Sequence, residues 1–595
     1  MARKRRRLTD DVVEVVVLSG SDTEESVNTL QLNVSLPSGR CASLSLPVDG
    51  SVLDLKLAAQ LSLRQAFLRL VALDGRLLDP AESLQSSGLQ SGDSVTAIAQ
   101  QPKVAATDGA VALWCPGGAR IVAWGKGEQG GHTAAVQDQL RNVQLIQGTK
   151  KAFAAILADG SVVTWGFPGY GGDSTRVRDQ LKDVQQIHAT SEAFAAVLAD
   201  GSVVTWGNPG YGGSSTRVKD QLRDVRNIHS TFYAFAAILA DGSVVTWGDP
   251  DYGGDSTRVR DQLRNVRNIH ATRCAFAAVL ADGNVVTWGD AGYGGDSTRV
   301  ADQLRNVQQI HAAQYAFAAI LADGSLVTWG SPQDGGDSTA VADDLRDVQN
   351  IHATDRAFAA ILADGSVVTW GHGDNGGDST AVRSQLRNVQ QICATMSAFA
   401  AILADGSVVT WGNPICGGDT VRGSLGESAT QPAVAQRPLA PNPARVGALR
   451  AVHGVGVVPM PNPVRVSALG AMPIRSRALS PARVRAQQRR SPARARAQPI
   501  SNSARVRDQL RNVQHIYATQ RAFAVILADG SVVTWGDAGY GGDSTRVEDQ
   551  LRHVRQIHAT RCAFAAVLAD GRVVTWGDPE NGGVSTAVKD EFRYL

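Results

Sequence analysis

Residues 193–207 read AFAAVLADGSVVTWG, and nearly the same fifteen residues return many times along the chain. Tryptophan marks the spacing most clearly, because consecutive copies stand 41 residues apart over most of the sequence. The tryptophans of these copies are Trp124, Trp165, Trp206, Trp247, Trp288, Trp329, Trp370 and Trp411, followed near the C-terminus by Trp535 and Trp576. A fixed period between about 20 and 50 residues is typical of solenoids, propellers and linear arrays.

One copy predicts three strands, at 184–190, 193–199 and 202–207, with a tight Asp-Gly turn between the last two. The middle strand is apolar on both faces, so it must be covered on both sides, which stacked blades achieve. The sequence therefore predicts a mainly β fold, a β-propeller of about 41-residue repeats. An open β-solenoid is the alternative. The tryptophans predicted to be buried structural anchors are Trp165, Trp206, Trp247, Trp288, Trp329, Trp370, Trp411, Trp535 and Trp576.

The motif LADGSVVTWG is followed by a glycine-rich turn, a V-x-x-I strand and an A-F-A-A-I-L strand. This order resembles the regulator-of-chromosome-condensation repeat, which also occurs in the HERC class of ubiquitin ligases. The resemblance covers roughly 400 residues and implies a β-propeller, typically seven-bladed. Because this chain has shorter repeats and more of them than one seven-bladed ring uses, the number of blades stays open.

Residues 28–101 have a different character. A hairpin pattern, LQLNVSLPSGRCASLSLPV, precedes the helical spacing of VLDLKLAAQLSL, and strand patterns follow in LRLVALDGRLLD and SVTAIAQ. This order resembles ubiquitin and implies a small α+β domain of the β-grasp type. The chain continues past Gln101 without a Gly-Gly pair, and Ala72 stands where ubiquitin has its receptor-binding apolar patch. Conjugation is therefore not expected, and ordinary receptor binding is in doubt.

The charge is divided unevenly along the chain, which has a formal net charge of +2. Residues 3–7 are all cationic and residues 428–507 hold 14 arginines with no acid, so the rest carries −17. Such blocks are typical of tails and linkers. We predict a disordered tail at 1–27 and a disordered Arg/Pro/Ala-rich insertion at 423–503. The propeller-like repeats then occupy 103–422 and 504–595.

The tail carries two candidate interaction motifs. The first is a basic cluster, read as a nuclear import signal or a nucleic-acid contact, formed by Arg3, Lys4, Arg5, Arg6 and Arg7. The second is an apolar run that resembles a SUMO-interacting motif, with Val13, Val15, Val16, Val17 and Leu18 as its binding residues. A short apolar strand can add to a sheet edge while the acids and serines after it meet a basic surface. An extra strand of the fold is the alternative.

Histidine recurs at one position of the repeat, where Cys393 and Tyr517 stand in two copies. These histidines are His188, His229, His270, His311, His352 and His558. A metal site is not expected, since ligands on separate blades seldom converge on one ion. The Gly-Gly-Asp-Ser stretches fit turns with helix caps better than calcium or phosphate loops. Six cysteines without a C-x-x-C pair favour buried, reduced thiols. No nucleophile–base pair stands out, and no cofactor is expected.

These patterns favour a non-enzymatic protein-interaction scaffold in ubiquitin- or SUMO-linked regulation, nuclear or cytoplasmic, with the nucleus slightly favoured. Partners are expected among SUMO or ubiquitin-pathway proteins, with nucleic acid as a further candidate and no membrane contact. A HERC-type ligase needs a catalytic domain after the propeller, whereas this sequence ends at Leu595, so ligase activity is not expected. The alternatives are a nucleotide-exchange regulator of a small GTPase, or a chromatin- or RNA-binding protein acting through the Arg-rich insertion.

Overall fold

The structure is a computed structural model that describes residues 12–15, 29–418 apart from 64, 66 and 119, and 506–594 apart from 590. The described residues form a mainly β structure with one five-stranded sheet and ten three-stranded sheets. The predicted import signal at 3–7 and the predicted insertion at 423–503 lie outside the described residues.

The N-terminal sheet contains five strands and is covered by one helix. These elements are β1 (Val12–Val15), β2 (Thr29–Ser35), β3 (Cys41–Pro47), α1 (Val52–Leu63), β4 (Leu68–Val71) and β5 (Ser94–Ala99). The strand order is β1-β3-β2-β5-β4, with β2 antiparallel to β3 and parallel to β5. Helix α1 begins with reciprocal hydrogen bonds between Ser51 and Asp54, and buries Leu55, Ala59 and Leu63 against the sheet.

One expectation for this domain was wrong in detail. The Asp74-Gly75 turn was predicted to join two strands, but only the segment before it, β4, is a strand. After the turn, Leu77 makes a single bridge to Val71, and the chain then enters a series of turns. The turn residues Asp79 and Pro80 follow too closely for a second strand to extend.

The ten three-stranded sheets are antiparallel, and we number them repeats 1 to 10 in chain order. Their first strands are Lys103–Ala106, Val143–Gly148, Val184–Ala189, Val225–Ser230, Val266–Ala271, Val307–Ala312, Val348–Ala353, Val389–Ala394, Val513–Ala518 and Val554–Ala559. Their second strands are Ala110–Trp114, Ala152–Leu157, Ala193–Leu198, Ala234–Leu239, Ala275–Leu280, Ala316–Leu321, Ala357–Leu362, Ala398–Leu403, Ala522–Leu527 and Ala563–Leu568. Their third strands are Ile121–Gly125, Val162–Gly166, Val203–Gly207, Val244–Gly248, Val285–Gly289, Leu326–Gly330, Val367–Gly371, Val408–Gly412, Val532–Gly536 and Val573–Gly577.

Repeat 3 illustrates why each copy folds in this way. The second strand lies between the other two, and its apolar residues on both faces are buried. The Asp-Gly turn places Gly201 at φ +76°, a conformation that favours glycine. Phe194 of the second strand pairs with Trp206 of the third, and their rings stack with centroids 5.2 Å apart. Two short 3₁₀ turns, Pro209–Tyr211 and Lys219–Gln221, then lead to the next repeat.

A tryptophan and a glycine lock each repeat to the one before it. The Trp206 indole Nε1 donates a hydrogen bond of 3.0 Å to the carbonyl of Gly171 in repeat 2. Gly171 has φ +92°, and a Cβ atom at this position would lie 2.5 Å from Cδ2 of Phe194. Only glycine therefore allows the stacked Phe194 and Trp206 to close over the preceding repeat. We call this contact the Trp–Gly interlock.

The interlock recurs at ten interfaces between the described repeats. Trp535 of repeat 9 donates to Gly417 of repeat 8 at 3.1 Å, so these two repeats are direct neighbours on either side of 423–503. Trp124 of repeat 1 donates to Gly582 of repeat 10 at 2.9 Å. At that interface Val111 replaces the phenylalanine. The contacts therefore pass from each repeat to the next, and from the last repeat to the first.

The N-terminal domain packs against this last junction. Phe67, which precedes β4, belongs to the same buried cluster as Val111, Trp124 and Phe592. The Phe592 ring lies edge-on to Trp124, with centroids 5.5 Å apart. Lys56 of α1 is also buried here, and this burial lowers its pKa to about 8. The domain thus covers apolar surface where repeats 1 and 10 meet.

Replacing Trp288 by alanine should destabilise the protein by about 3–5 kcal/mol, because it empties a buried site and removes the hydrogen bond to Gly253. Urea unfolding followed by circular dichroism measures this change. Trp288→Phe serves as the control, since it keeps a ring over the glycine and should lose about 1–2 kcal/mol. Equal midpoints for Trp288→Ala and the wild type would contradict the interlock.

Candidate functional site

The first strands of neighbouring repeats lie beside one another around a central cavity of about 880 Å³. All ten repeats line this cavity with three consecutive residues, the last of the first strand and the first two of the loop that leads to the second strand. In repeat 3 these residues are Ala189, Thr190 and Ser191. The cavity therefore brings ten equivalent loops together at one end of the sheets.

The third residue of each loop belongs to what we call the mouth ring. Its members are Asp108, Lys150, Ser191, Phe232, Arg273, Gln314, Asp355, Met396, Gln520 and Arg561. Nine backbone hydrogen bonds run through it, each from the amide of one member to the carbonyl of the next, as in Ser191 to Phe232 at 2.9 Å. Between Arg561 and Asp108 the link is an ion pair of 2.8 Å. The main chain thus holds nine of the ten links whatever the side chains are, and the tenth depends on Arg561 and Asp108.

A threonine fixes the loop from inside the repeat. The hydroxyl of Thr190 accepts from the amide of Ala193 at 3.0 Å and donates to the carbonyl of Tyr211 at 2.9 Å. Threonine stands at this position in every repeat except repeat 6, which has Ala313. The loop is therefore anchored by its repeated residue, and the next two residues are free to differ.

Those next two residues are the most variable positions of the repeat. Over repeats 2 to 10 the mouth-ring position holds seven residue types, and the position after it holds six. The Ala-Phe-Ala that follows is identical in all nine copies, and so is the Ala-Asp-Gly turn at the opposite end. The residues that the repeats share do not reveal this site. Its signal in the sequence is the pair of positions at which the repeats differ most.

We call the mouth ring and the residues that follow it directly, one in each repeat, the rim. The rim carries six cations and three acids. In repeats 7 to 10 each cation has a carboxylate partner. Arg356 contacts the buried Asp334 at 2.6 Å, Arg521 contacts Asp537 at 3.7 Å, and Arg561 contacts Asp108. This half of the rim is internally neutralised.

In repeats 2 to 5 the cations lie over aromatic rings without a carboxylate partner, whereas Arg356 and Arg521 have both an aromatic ring and a carboxylate. Lys150 Nζ is 4.9 Å from the centroid of Phe232, and the Arg273 guanidinium is 4.5 Å from the same centroid on repeat 4. Lys151 Nζ is 4.9 Å from the ring of Tyr170. Among the described residues, no carboxylate lies within 4.0 Å of these three cations. Their charge is therefore available to a ligand.

Six tyrosines lie near these cations or in contact with one another. They are Tyr170, Tyr211, Tyr233, Tyr252, Tyr293 and Tyr315. The centroids of Tyr233 and Tyr211 are 4.0 Å apart, and those of Tyr233 and Tyr252 are 4.6 Å apart. Burial and the nearby Glu192 raise the pKa of Tyr233. We call these tyrosines, together with Phe232, Lys150, Lys151 and Arg273, the aromatic arc.

The repeated histidines lie on the first strands. His188 Nε2 is 3.1 Å from Gln186 Oε1, and His229 Nε2 is 3.3 Å from Asn227 Nδ2. Burial lowers the pKa of both histidines to about 4, and His188 lowers that of His229 further because it is close by. His311 Nε2 is buried without a hydrogen-bond partner. The histidines are therefore neutral at pH 7.

The other predicted residues lie apart from this cavity. Val13 and Val15 are in β1, which pairs in parallel with β3, whereas 16–18 lie outside the described residues. The nine predicted structural tryptophans are all buried. In the Gly-Gly-Asp-Ser stretches the cap-like bond comes from aspartate: Asp255 Oδ1 accepts from the amide of Thr257, while the Ser256 hydroxyl accepts from Thr246.

The six cysteines are all free, and four of them are buried. Within the described part of the chain, no group of three or more His, Cys, Asp and Glu side chains is arranged to hold a metal ion. None of the helices in that part is both long enough and apolar enough to cross a membrane.

No model of a known protein family matches the chain, and no curated protein matches it. Solved structures to which it is similar include Prp20p of Saccharomyces cerevisiae, described with its binding to Gsp1p and histones. That match has 16% identity and a TM-score of 0.26, and covers 42% of this chain and 80% of Prp20p. The ectodomain of the Arabidopsis thaliana receptor kinase ACR4 matches at 14% identity and a TM-score of 0.26, covering 45% and 96%. A designed protein based on ubiquitin matches 12% of this chain and 85% of its own length, at 18% identity and a TM-score of 0.11.

Acidification should destabilise the repeats through the histidines. Since the pKa of His188 falls from 6.5 in the unfolded chain to about 4 in the fold, only the unfolded chain takes up a proton between these pH values. The free energy of unfolding should fall across this window, by at most about 3 kcal/mol for this residue. His188→Gln, the residue that Gln147 supplies in repeat 2, should lose less. Urea midpoints at pH 7 and pH 4.5 test this, and equal pH dependence would contradict it.

Proposed function

We propose that the protein is a non-enzymatic protein-interaction scaffold, built as a closed, ten-bladed β-propeller whose rim around the central cavity binds protein partners. The observation that carries the proposal is the separation of repeated from variable residues. The side chains that differ most between repeats gather around one cavity, while the frame that holds them hardly differs. Closure of the propeller is supported by the Trp124–Gly582 contact, which has the same form as the other interlocks.

The chemistry of the rim favours binding over catalysis. Nine of its twenty residues are Arg, Lys, Tyr or Phe, and Arg, Tyr and Phe are enriched at protein interfaces. Cys274, near the arc, has a pKa raised to about 11 by burial, so its thiol is a poor nucleophile at pH 7. Ten side chains of seven types on loops held by the main chain suit the recognition of an extended surface.

The rim can be tested with residues exchanged between repeats. A rim variant carries Phe232→Ser, Asp355→Gln and Arg561→Gln, and a control carries Arg226→Gln and Arg267→Gln at the opposite end of the sheets. Each new residue already stands at that position in another repeat, so both variants should fold. Affinity capture followed by measurement of the captured proteins should show about a tenfold loss for the rim variant and none for the control. Equal capture by both variants would contradict the proposed function.

The N-terminal domain supports a link to the ubiquitin or SUMO pathway. The central parallel pair β2–β5, flanked by antiparallel β3 and β4 and covered by α1, is the arrangement expected of a ubiquitin-like β-grasp domain. The tail strand β1 adds to the free edge of β3, which demonstrates strand addition by this segment within the chain. The same segment is proposed to add to the sheet edge of SUMO, in the nucleus or cytoplasm.

The peptide 9–26 should bind SUMO with a micromolar dissociation constant, worth about 8 kcal/mol, because few main-chain bonds and apolar contacts are available. The full chain should bind more weakly, since β1 must first leave β3. Replacing Val15, Val16 and Val17 by alanine should abolish binding, and phosphates on Ser19 or Ser21 should strengthen it. Titration followed by NMR measures each case. A wild-type peptide that shifts no SUMO resonance at about millimolar concentration would end the SUMO assignment.

A further inference from the structure

We infer that the aromatic arc is a docking site for a short acidic segment of a protein partner. The carboxylates of that segment bind Lys150, Lys151 and Arg273. This inference rests on the proposed function of the rim and names the partner chemistry that one part of it selects. The arc occupies repeats 2 to 6, whereas the ion-paired half of the rim occupies repeats 7 to 10.

The first argument is the difference in charge between the two halves. Arg356, Arg521 and Arg561 each have a carboxylate of the protein itself within 4.0 Å. Lys150 and Arg273 do not, and both lie over the Phe232 ring. Asp355 of the mouth ring attracts Arg273, but it also attracts Arg356 and Arg561 and is hydrogen-bonded to Gln314. Carboxylates from outside would therefore complete the arc.

The second argument is how the cations are held. A guanidinium or ammonium over an aromatic face keeps its outward N–H groups free for an anion. Lys150 and Arg273 both lie over the Phe232 ring, which holds the two charges near each other without a carboxylate between them. The backbone bonds from Lys150 to Ser191 and from Phe232 to Arg273 keep these residues in place. Such preorganised charge lowers the entropic cost of binding.

The third argument concerns what lies near the cations. The tyrosine rings, which contact one another face to face or edge to face, offer aromatic surface on which apolar side chains of a peptide can pack. The carboxylates of Glu192, Asp249 and Asp290 lie near these tyrosines. A nucleic acid strand has phosphates throughout its length and would meet these carboxylates. A polypeptide can place acidic residues at the cations and neutral or basic residues at the acids.

The experiment selects binders from a display library of random peptides of about 12 residues, using the full-length protein. Two matched variants then sort the binders. The first, Lys150→Gln with Arg273→Gln, removes two cations from the arc. The second, Arg521→Ser with Arg561→Gln, removes two cations from the ion-paired half. Every new residue occurs at the same position of another repeat, and urea midpoints check that both variants fold.

We expect selected peptides rich in Asp and Glu, whose affinity falls at least about tenfold in the first variant and less than about threefold in the second. Raising the salt concentration should weaken them. Peptides without acidic enrichment, or peptides weakened only by the second variant, would overturn the acidic-segment inference while leaving the rim as a binding surface. Failure to select any peptide would overturn it too. Single-stranded RNA of about 12 nucleotides that binds the wild type and is lost from the first variant would assign the arc to nucleic acid.

Discussion

The hydrogen bond from a tryptophan indole to a glycine carbonyl of the preceding repeat is the contact on which the rest of the structure depends. Each indole, stacked on a buried phenylalanine in repeats 2 to 10, covers a glycine whose φ is positive and whose missing Cβ leaves the necessary space. A short three-stranded sheet cannot bury its second strand alone. The interlock supplies the neighbour that covers it, and it does so in the same way at Trp535–Gly417 and Trp124–Gly582.

The residues of the sheets and those of the rim are under different constraints. Residues within the sheets contact neighbours on both faces, so a change in side-chain volume disturbs the packing, and the copies are nearly identical. Residues of the mouth ring are fixed by main-chain bonds and by the threonine before them, so their side chains are free to differ. The variation among Ser191, Phe232, Arg273 and their equivalents is therefore tolerated by the fold, and any selection on it acts through what they bind.

The period and composition of the repeat were sufficient to predict its strands, its Asp-Gly turns and the burial of its tryptophans, because each follows from local pattern and side-chain chemistry. The number of sheets was not predictable, since 423–503 separates repeats 8 and 9 in the sequence and only contacts in the folded chain, such as Trp535–Gly417 and the Met396–Gln520 backbone bond, show that they are neighbours. In the Gly-Gly-Asp-Ser stretches, which were predicted to be turns with helix caps, the capping bond comes from the aspartate, as at Asp255, because the Ser256 hydroxyl accepts from Thr246 on the third strand. The rim was missed because its signal is difference between repeats, and its backbone ring forms only when ten loops meet.

The central claim is that the interface between repeats 10 and 1 is an interlock like any other, and two glycine substitutions test it directly. Gly582→Ala would place a Cβ 2.5 Å from Cγ2 of Val111 in repeat 1, and Gly253→Ala would place one 2.7 Å from Cδ2 of Phe276 in the next repeat. The urea midpoints of the two variants should fall by similar amounts. Strain at a positive φ alone should lower the free energy of unfolding by roughly 1–2 kcal/mol. If Gly582→Ala loses only that much while Gly253→Ala loses several times more, repeats 10 and 1 do not interlock and the account is contradicted.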